Sequence, residues 1–294
     1  MHKQIIGTGV ALITPFNNDF SVDYSSLEKI VDFVVSQGVD FLVALGTTSE
    51  SATLSTEEKV KVVDTILKIN NNRIPVVLGM GGNDTRCLIN HINKQDFAGI
   101  SAILSVTPYY NKPQQDGLLA HFRAVADASP VPMILYNVPG RTSVNMKAET
   151  CLKLAHHPNI LSVKEASGDM GQVMQIIASK PDKFELLSGD DALTLPMLAV
   201  GAKGVISVVA NAFPDLFSNM VRFQLAGDNA NALPIHYKLL RMIDLLFVDG
   251  NPAGIKSVLH QFGLCSNILR LPLVPVNPTV AEQIKNEMLS IGVL

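Results

Sequence analysis

Short apolar runs recur along the chain about every 20 to 30 residues, at 10–13, 41–45, 75–80, 102–106, 133–137, 160–166, 184–188 and 205–210. Each is the length of a strand rather than a helix. Between them lie segments of helical period. The first carries Leu27, Ile30, Val31, Val34 and Val35, opened by the capping-box pattern Ser25-x-x-Glu28 and stopped near Gly38. A second pattern, Ser55-x-x-Glu58, opens a helix whose apolar positions include Val60, Val63, Ile66 and Leu67. Strand then helix, repeated eight times over about 225 residues, predicts an α/β fold of the (β/α)8 TIM-barrel type. The competing doubly wound sheet needs a glycine-rich fingerprint after its first strand. Gly79-Met80-Gly81-Gly82-Asn83-Asp84 begins like one, but it follows the third run and ends in aspartate, so it reads as a backbone turn.

After Asn211 the strand pattern stops and the remainder from Pro214 reads as helical. Leu239, Leu240, Ile243, Leu246 and Phe247 form one apolar stripe, with breaks at Asn251-Pro252 and across 272–278. The expected organisation is a catalytic barrel over 1–228 and a C-terminal helical segment over 229–294 packed on it.

At 294 residues and 47% hydrophobic content, the chain can bury a large core. A net charge of -3 without blocks of like charge argues against nucleic acid or an anionic membrane as partner, leaving small molecules. The three cysteines, Cys87, Cys151 and Cys265, form no C-x-x-C pair and read as reduced thiols. The start of the chain, 1–7, lacks an apolar signal core, and no run approaches the ~18 apolar residues of a membrane span, so a cytoplasmic protein is expected. No metal-ligand spacing appears: His156-His157 precede Pro158 on a helix-to-strand connection, and H-E-x-x-H and G-x-S-x-G are absent.

Reactive groups of such barrels gather at the C-terminal ends of strands. Those ends read Gly46-Thr47-Thr48-Ser49-Glu50, Thr107-Pro108-Tyr109-Tyr110-Asn111, Tyr136-Asn137-Val138-Pro139-Gly140-Arg141-Thr142, Lys164-Glu165-Ala166-Ser167-Gly168 and Ser188-Gly189-Asp190-Asp191. Lys164 is the most telling residue, because an ammonium on a buried strand loses hydration and shifts toward the neutral, nucleophilic amine that Schiff-base chemistry needs. By itself a lysine in an apolar run is more readily explained by a carboxylate partner or a place at the strand's wet end. Thr47-Thr48 also suits a helix N-cap, Tyr109-Tyr110 an interface, and Arg141 an exposed loop.

Taken together, Gly46-Thr47-Thr48-x-Glu50, Thr107-Pro108-Tyr109-Tyr110-Asn111, Tyr136-Asn137-Val138-Pro139-x-Arg141-Thr142 and Val163-Lys164-Glu165-Ala166-Ser167-Gly168 resemble the dihydrodipicolinate synthases in order and spacing, over essentially the whole chain. The resemblance implies condensation of pyruvate with L-aspartate 4-semialdehyde on the route to diaminopimelate and lysine. Lys164 would form the imine, Tyr136, Thr47 and Tyr110 would relay protons, and Tyr110 would reach in from a neighbouring subunit. Thr48, Gly189 and Ile206 would surround pyruvate and Arg141 would bind the semialdehyde carboxylate. A homotetramer built as a dimer of dimers is implied, with no cofactor beyond the lysine. The alternative is an N-acetylneuraminate lyase or keto-deoxy-sugar-acid aldolase of the same group. Asp190 and Asp191 match the family pattern, although a helix N-cap is the simpler role. Ser49 departs from the usual glycine, which puts the local turn geometry in question. Ser51, Ala52, Asn83 and Tyr109 match the family's lysine effector site. Cys87, Thr56 and Lys59 replace its charged and histidine positions, so weak or absent lysine inhibition is expected unless Asp84 supplies the missing carboxylate.

Overall fold

In a computed structural model describing residues 5–294, the eight runs are strands of one closed parallel barrel, each paired with its neighbours in sequence. They are β1 Gly7–Ala11, β2 Phe41–Ala44, β3 Val76–Gly79, β4 Ala102–Val106, β5 Met133–Asn137, β6 Ile160–Glu165, β7 Glu185–Ser188 and β8 Gly204–Ser207. The helices outside are α1 Tyr24–Ser36, α2 Thr56–Asn70, α3 Thr85–Lys94, α4 Gln115–Ala128, the single turn α5 Pro139–Thr142, α6 Ala148–Ala155, α7 Met170–Ser179, α8 Thr194–Ala199 and α9 Pro214–Leu225. Three more follow: α10 Asn229–Phe247, α11 Ala253–Gln261 and α12 Pro278–Ser290. α10 packs on α9 and α12, and α11 on both α10 and α12.

Successive strand residues point to opposite sides of the barrel wall, which is why the runs are apolar throughout rather than alternating. Phe41, Val43, Val77, Leu104, Ile134 and Leu187 fill the interior, while their neighbours Leu42, Val76, Ile103, Leu135 and Leu186 pack beneath the helices.

Two strand edges lie earlier than the apolar runs indicate. β1 starts at Gly7 and β8 at Gly204, and the end of 205–210 turns instead into a 3-10 helix, Val209–Asn211. The glycines are there for space. A Cβ on Gly204 would stand 2.2 Å from the Gly7 carbonyl oxygen across the closing seam, and one on Gly9 would stand 2.1 Å from the Phe41 ring. The first capping box is also displaced: Asp23, not Ser25, caps α1, its carboxylate accepting from the Ser26 N–H at 3.0 Å. The second forms as expected, with Ser55 and Glu58 exchanging both bonds at the start of α2. Leu239, Ile243 and Leu246 bury the inner face of α10, whereas Phe247, expected on that stripe, is 42% exposed. Asn251-Pro252 separates α10 from α11. No helix among the described residues is long and apolar enough to cross a membrane. Of the chain start read above, residues 1–4 lie outside those described.

Candidate active site

β5 and β6 pair with Tyr136 beside Lys164, so both side chains leave the wall on the same face near its C-terminal end. The Lys164 Nζ lies 4.3 Å from the centre of the Tyr136 ring. Burial pulls the lysine pKa down to about 8; the Asp191 carboxylate opposes this and the Arg141 cation adds to it. A sizeable minority of this amine is then neutral near physiological pH, which makes it a usable nucleophile. Gly189 follows β7, and a Cβ there would lie 2.7 Å from Ala166 Cβ and 3.0 Å from Lys164 Cε, so glycine leaves the slot in which the lysine stem lies. Ile206 is buried in the interior layer that contains Tyr136.

Burial pushes the Tyr136 phenol up to about 12, against the Arg141 charge and a hydrogen bond from the Thr47 side chain. A phenol so held is not a free base at neutral pH and moves protons only through its partners. Thr47 is exposed and Thr48 buried on the 3-10 turn Thr47–Ser49 that follows β2. Ser49 fits without strain. The positive φ angles fall on Leu45 and Glu50 at 55° and 52°, and the Ser49 hydroxyl donates to the Leu12 carbonyl at 2.7 Å.

Neither aspartate after Gly189 is the N-cap of α8, which is Leu193. Asp190 closes the preceding turn, accepting from the Ala192 and Leu193 amides at 3.0 and 3.1 Å. Asp191 instead spans to the loop after β8, its Oδ2 accepting from Val208 and Val209 at 3.0 and 2.8 Å. Burial raises its carboxyl to about 6, and the ionised form supports the charge on Lys164.

Arg141, on α5, is exposed and lines an open cleft with Tyr109, Tyr110, Lys112, Thr142 and Ser143. Tyr110 has φ +71° and is 89% exposed; among the described residues it makes no hydrogen bond to Tyr136 or Thr47. Of the residues matched to the effector site, Asn83 and Tyr109 are joined, Asn83 Nδ2 donating to the Tyr109 carbonyl at 3.3 Å. Ser51 and Ala52 lie on the 3-10 turn Ser51–Thr53, with no hydrogen bond to Asn83. Cys87 is exposed in the first turn of α3, and Asp84 is the N-cap of that helix, accepting from the Cys87 N–H at 3.0 Å. All three cysteines are free, and among the described residues no group of three His, Cys, Asp or Glu side chains is placed to hold a metal.

Several residues behind the site carried no role in the sequence reading. Glu50 and Lys256 form a fully buried ion pair at 2.5 Å, and Glu50 also accepts the Arg270 N–H at 3.0 Å. Lys256 donates to the Ile268 carbonyl at 2.9 Å; burial lowers its pKa while Glu50 opposes the shift. Arg270 grips Glu58 with two bonds of 2.7 and 2.5 Å. Asn251 donates to the Thr48 hydroxyl at 2.9 Å. Behind Lys164, Glu165 accepts from Asn137, the Ser167 amide and Gln172 at 3.0, 2.7 and 3.1 Å, fixing the end of β6. Lys256 had a visible signal, a lone lysine within the helical segment Ala253–Gln261 that is otherwise rich in apolar and small residues.

The model of the dihydrodipicolinate synthetase family matches residues 4–290. A 4-hydroxy-tetrahydrodipicolinate synthase of Parabacteroides distasonis is 51% identical over 288 residues, 98% of this chain and 97% of the relative. The dihydrodipicolinate synthase of Acinetobacter baumannii, solved with pyruvate, superposes with a TM-score of 0.96 at 40% identity, covering 99% of this chain and 100% of that one. The enzyme of Cyanidioschyzon merolae, solved with lysine bound, gives a TM-score of 0.95 at 38% identity, over 99% of this chain and 100% of that one.

Proposed function

The chain belongs to the dihydrodipicolinate synthetase family, and on that premise we propose how its barrel condenses pyruvate with L-aspartate 4-semialdehyde to 4-hydroxy-tetrahydrodipicolinate, in diaminopimelate and lysine biosynthesis. The neutral Lys164 amine attacks the pyruvate ketone carbon, and loss of water from the carbinolamine leaves a protonated imine. That cation is an electron sink, so a proton leaves the adjacent methyl group and an enamine forms. The enamine carbon adds to the semialdehyde carbonyl, making the new C–C bond while the aldehyde oxygen takes up a proton. The amino group of the semialdehyde unit then attacks the imine carbon, closing the ring and displacing Lys164.

Each step moves a proton beside Tyr136, whose bond from Thr47 supplies the first link of a relay. Tyr110 completes that relay from a neighbouring subunit of a homotetramer, a role favoured by its 89% exposure on its own chain. Thr48, Gly189 and Ile206 surround the pyruvate unit. Arg141, held on α5 at the cleft, binds the semialdehyde carboxylate through a charge-assisted, two-pronged contact. Residues 1–228 form the catalytic barrel and 229–294 the segment packed on it, in an enzyme of the cytoplasm whose partners are its two substrates and its own copies.

The observation that carries this reading is the buried Lys164 amine, with its pKa near 8, beside Tyr136. Pyruvate with borohydride should add a reduced pyruvyl group to Lys164 alone. Turnover should be seen with pyruvate and aspartate semialdehyde but not with sialic acid or keto-deoxy-gluconate. An adduct mapped to another lysine, or cleavage of the sugar acids at a comparable rate, would overturn it.

A further inference from the structure

The turn bearing Thr47 and Thr48 is anchored from the far end of the chain. Asn251, at the junction of α10 and α11, is buried and donates to the Thr48 hydroxyl at 2.9 Å. Two residues beyond Thr48, Glu50 is locked to Lys256 and to the Arg270 amide, at 2.5 and 3.0 Å. Arg270 continues to the Thr53 and Phe20 carbonyls, at 2.9 Å for its Nη1–Thr53 and Nε–Phe20 bonds. The turn cannot leave this segment without stranding a buried ion, so its position is strongly determined.

The Asn251 amide is unusual in how little else it does. Its Oδ1 is buried and, among the described residues, has no hydrogen-bond partner. An amide that satisfies one hydroxyl while leaving its own carbonyl orphaned is a poor device for holding a fold, since an apolar side chain of the same shape would avoid the desolvation. It is a good device for orienting a hydroxyl. A threonine hydroxyl has one proton to give and two lone pairs. With one lone pair taken by Asn251, its proton is free to point to an acceptor, and a carboxylate can only accept.

We infer that Asn251 is a positioning residue for the reaction: it makes Thr48 a dedicated donor to the carboxylate of the bound keto acid, on a turn fixed by the buried Glu50–Lys256 pair. The inference rests on the proposed placement of Thr48 at pyruvate. A contact with the unreacting carboxylate is made about equally before and during the chemical steps, so its loss should appear in KM rather than kcat.

The test compares wild type, Asn251→Leu, Thr48→Val and the double variant by steady-state kinetics, borohydride trapping of the pyruvate adduct and thermal unfolding. Asn251→Leu should raise KM for pyruvate about five- to twenty-fold with kcat within about two-fold. Its unfolding temperature should be unchanged or higher. Because Asn251 acts through the Thr48 hydroxyl, the double variant should be no worse than Thr48→Val. If leucine is not accommodated, Asn251→Ala serves the same comparison. An unchanged KM, or losses that add in the double variant, would overturn the inference alone. A Thr48→Val enzyme with normal pyruvate KM and normal trapping would remove both the inference and the placement of Thr48.

Discussion

Lys164 and Lys256 are both buried, and the difference between them is a carboxylate at hydrogen-bonding distance. Lys256 has one, Glu50 at 2.5 Å, which opposes the effect of burial; among the described residues Lys164 has only the more diffuse influence of Asp191, and its pKa falls to about 8. The unpaired lysine therefore works against folding. Its folded pKa is depressed from 10.5 to about 8, so below pH 8 it is charged in both states and the cost is full. The cost declines between pH 8 and 10.5 and is gone above, where both states are neutral. Lys164→Met should abolish turnover and raise stability at pH 7 by about 3 kcal/mol. That gain should vanish by about pH 11, and denaturant unfolding at the two pH values measures it. For the native enzyme, the rate of pyruvate adduct formation should rise with pH through about 8. Arg141 tests substrate selection at the same scale. Arg141→Ala should lower kcat/KM for aspartate semialdehyde at least about 30-fold, the loss of roughly 2 kcal/mol of charged hydrogen bonding, while pyruvate trapping stays nearly unchanged. Equal losses in both assays would mean that the α5 loop had collapsed.

Among the elements, the barrel seam depends on residues without side chains. Gly204→Ala would drive a methyl group into the Gly7 backbone, with contacts of 2.2 to 3.0 Å and no flexible side chain to yield. It should destabilise the fold by about 3 kcal/mol or more, visible as a lower denaturation midpoint, whereas Gly140→Ala, with open space around the added carbon, should be nearly neutral. The same seam shows what could be read from sequence. Eight strands were legible because each is an apolar run bounded by turn residues, and Lys164 and Tyr136 were legible because they stand near the ends of two of those runs, within motifs that resemble the family. Gly7 and Gly204 were not, since glycine disfavours strands locally and their reason for being there lies across the barrel. The Ser25 capping box failed because Asp23, two residues earlier, offers a better placed acceptor. Lys256 and Asn251 were missed for a similar reason: their partners Glu50 and Thr48 are 206 and 203 residues away.

At the scale of the whole molecule, the site is open where Tyr110 stands away from its own barrel. If a neighbour's Tyr110 completes each relay, Tyr110→Phe and Lys164→Ala chains, each nearly inactive alone, should recover part of the activity when refolded together into hybrid oligomers. No recovery in hybrids shown to have formed would confine Tyr110 to its own chain. Control by the end product is the other property that would belong to such an assembly. The matched effector residues Ser51, Ala52, Asn83 and Tyr109 supply polar and backbone groups but no anion for the ammonium groups of lysine. Cys87 is an exposed thiol without a carboxylate charge, and Lys59 adds like-charge repulsion. Asp84 is the available carboxylate, three residues before Cys87, yet its Oδ1 accepts the Cys87 N–H as the N-cap of α3, where the positive end of the helix already favours it. Drawing it toward a ligand would uncap that helix at a cost of about 1 kcal/mol. Lysine should therefore inhibit weakly or not at all, with no half-inhibition below about 1 mM, an affinity that corresponds to only about 4 kcal/mol of binding. A titration of activity with lysine decides this. Sub-millimolar inhibition abolished by Asp84→Asn would show that the cap carboxylate is recruited after all, and sub-millimolar inhibition that survives the substitution would place the missing anion on another chain.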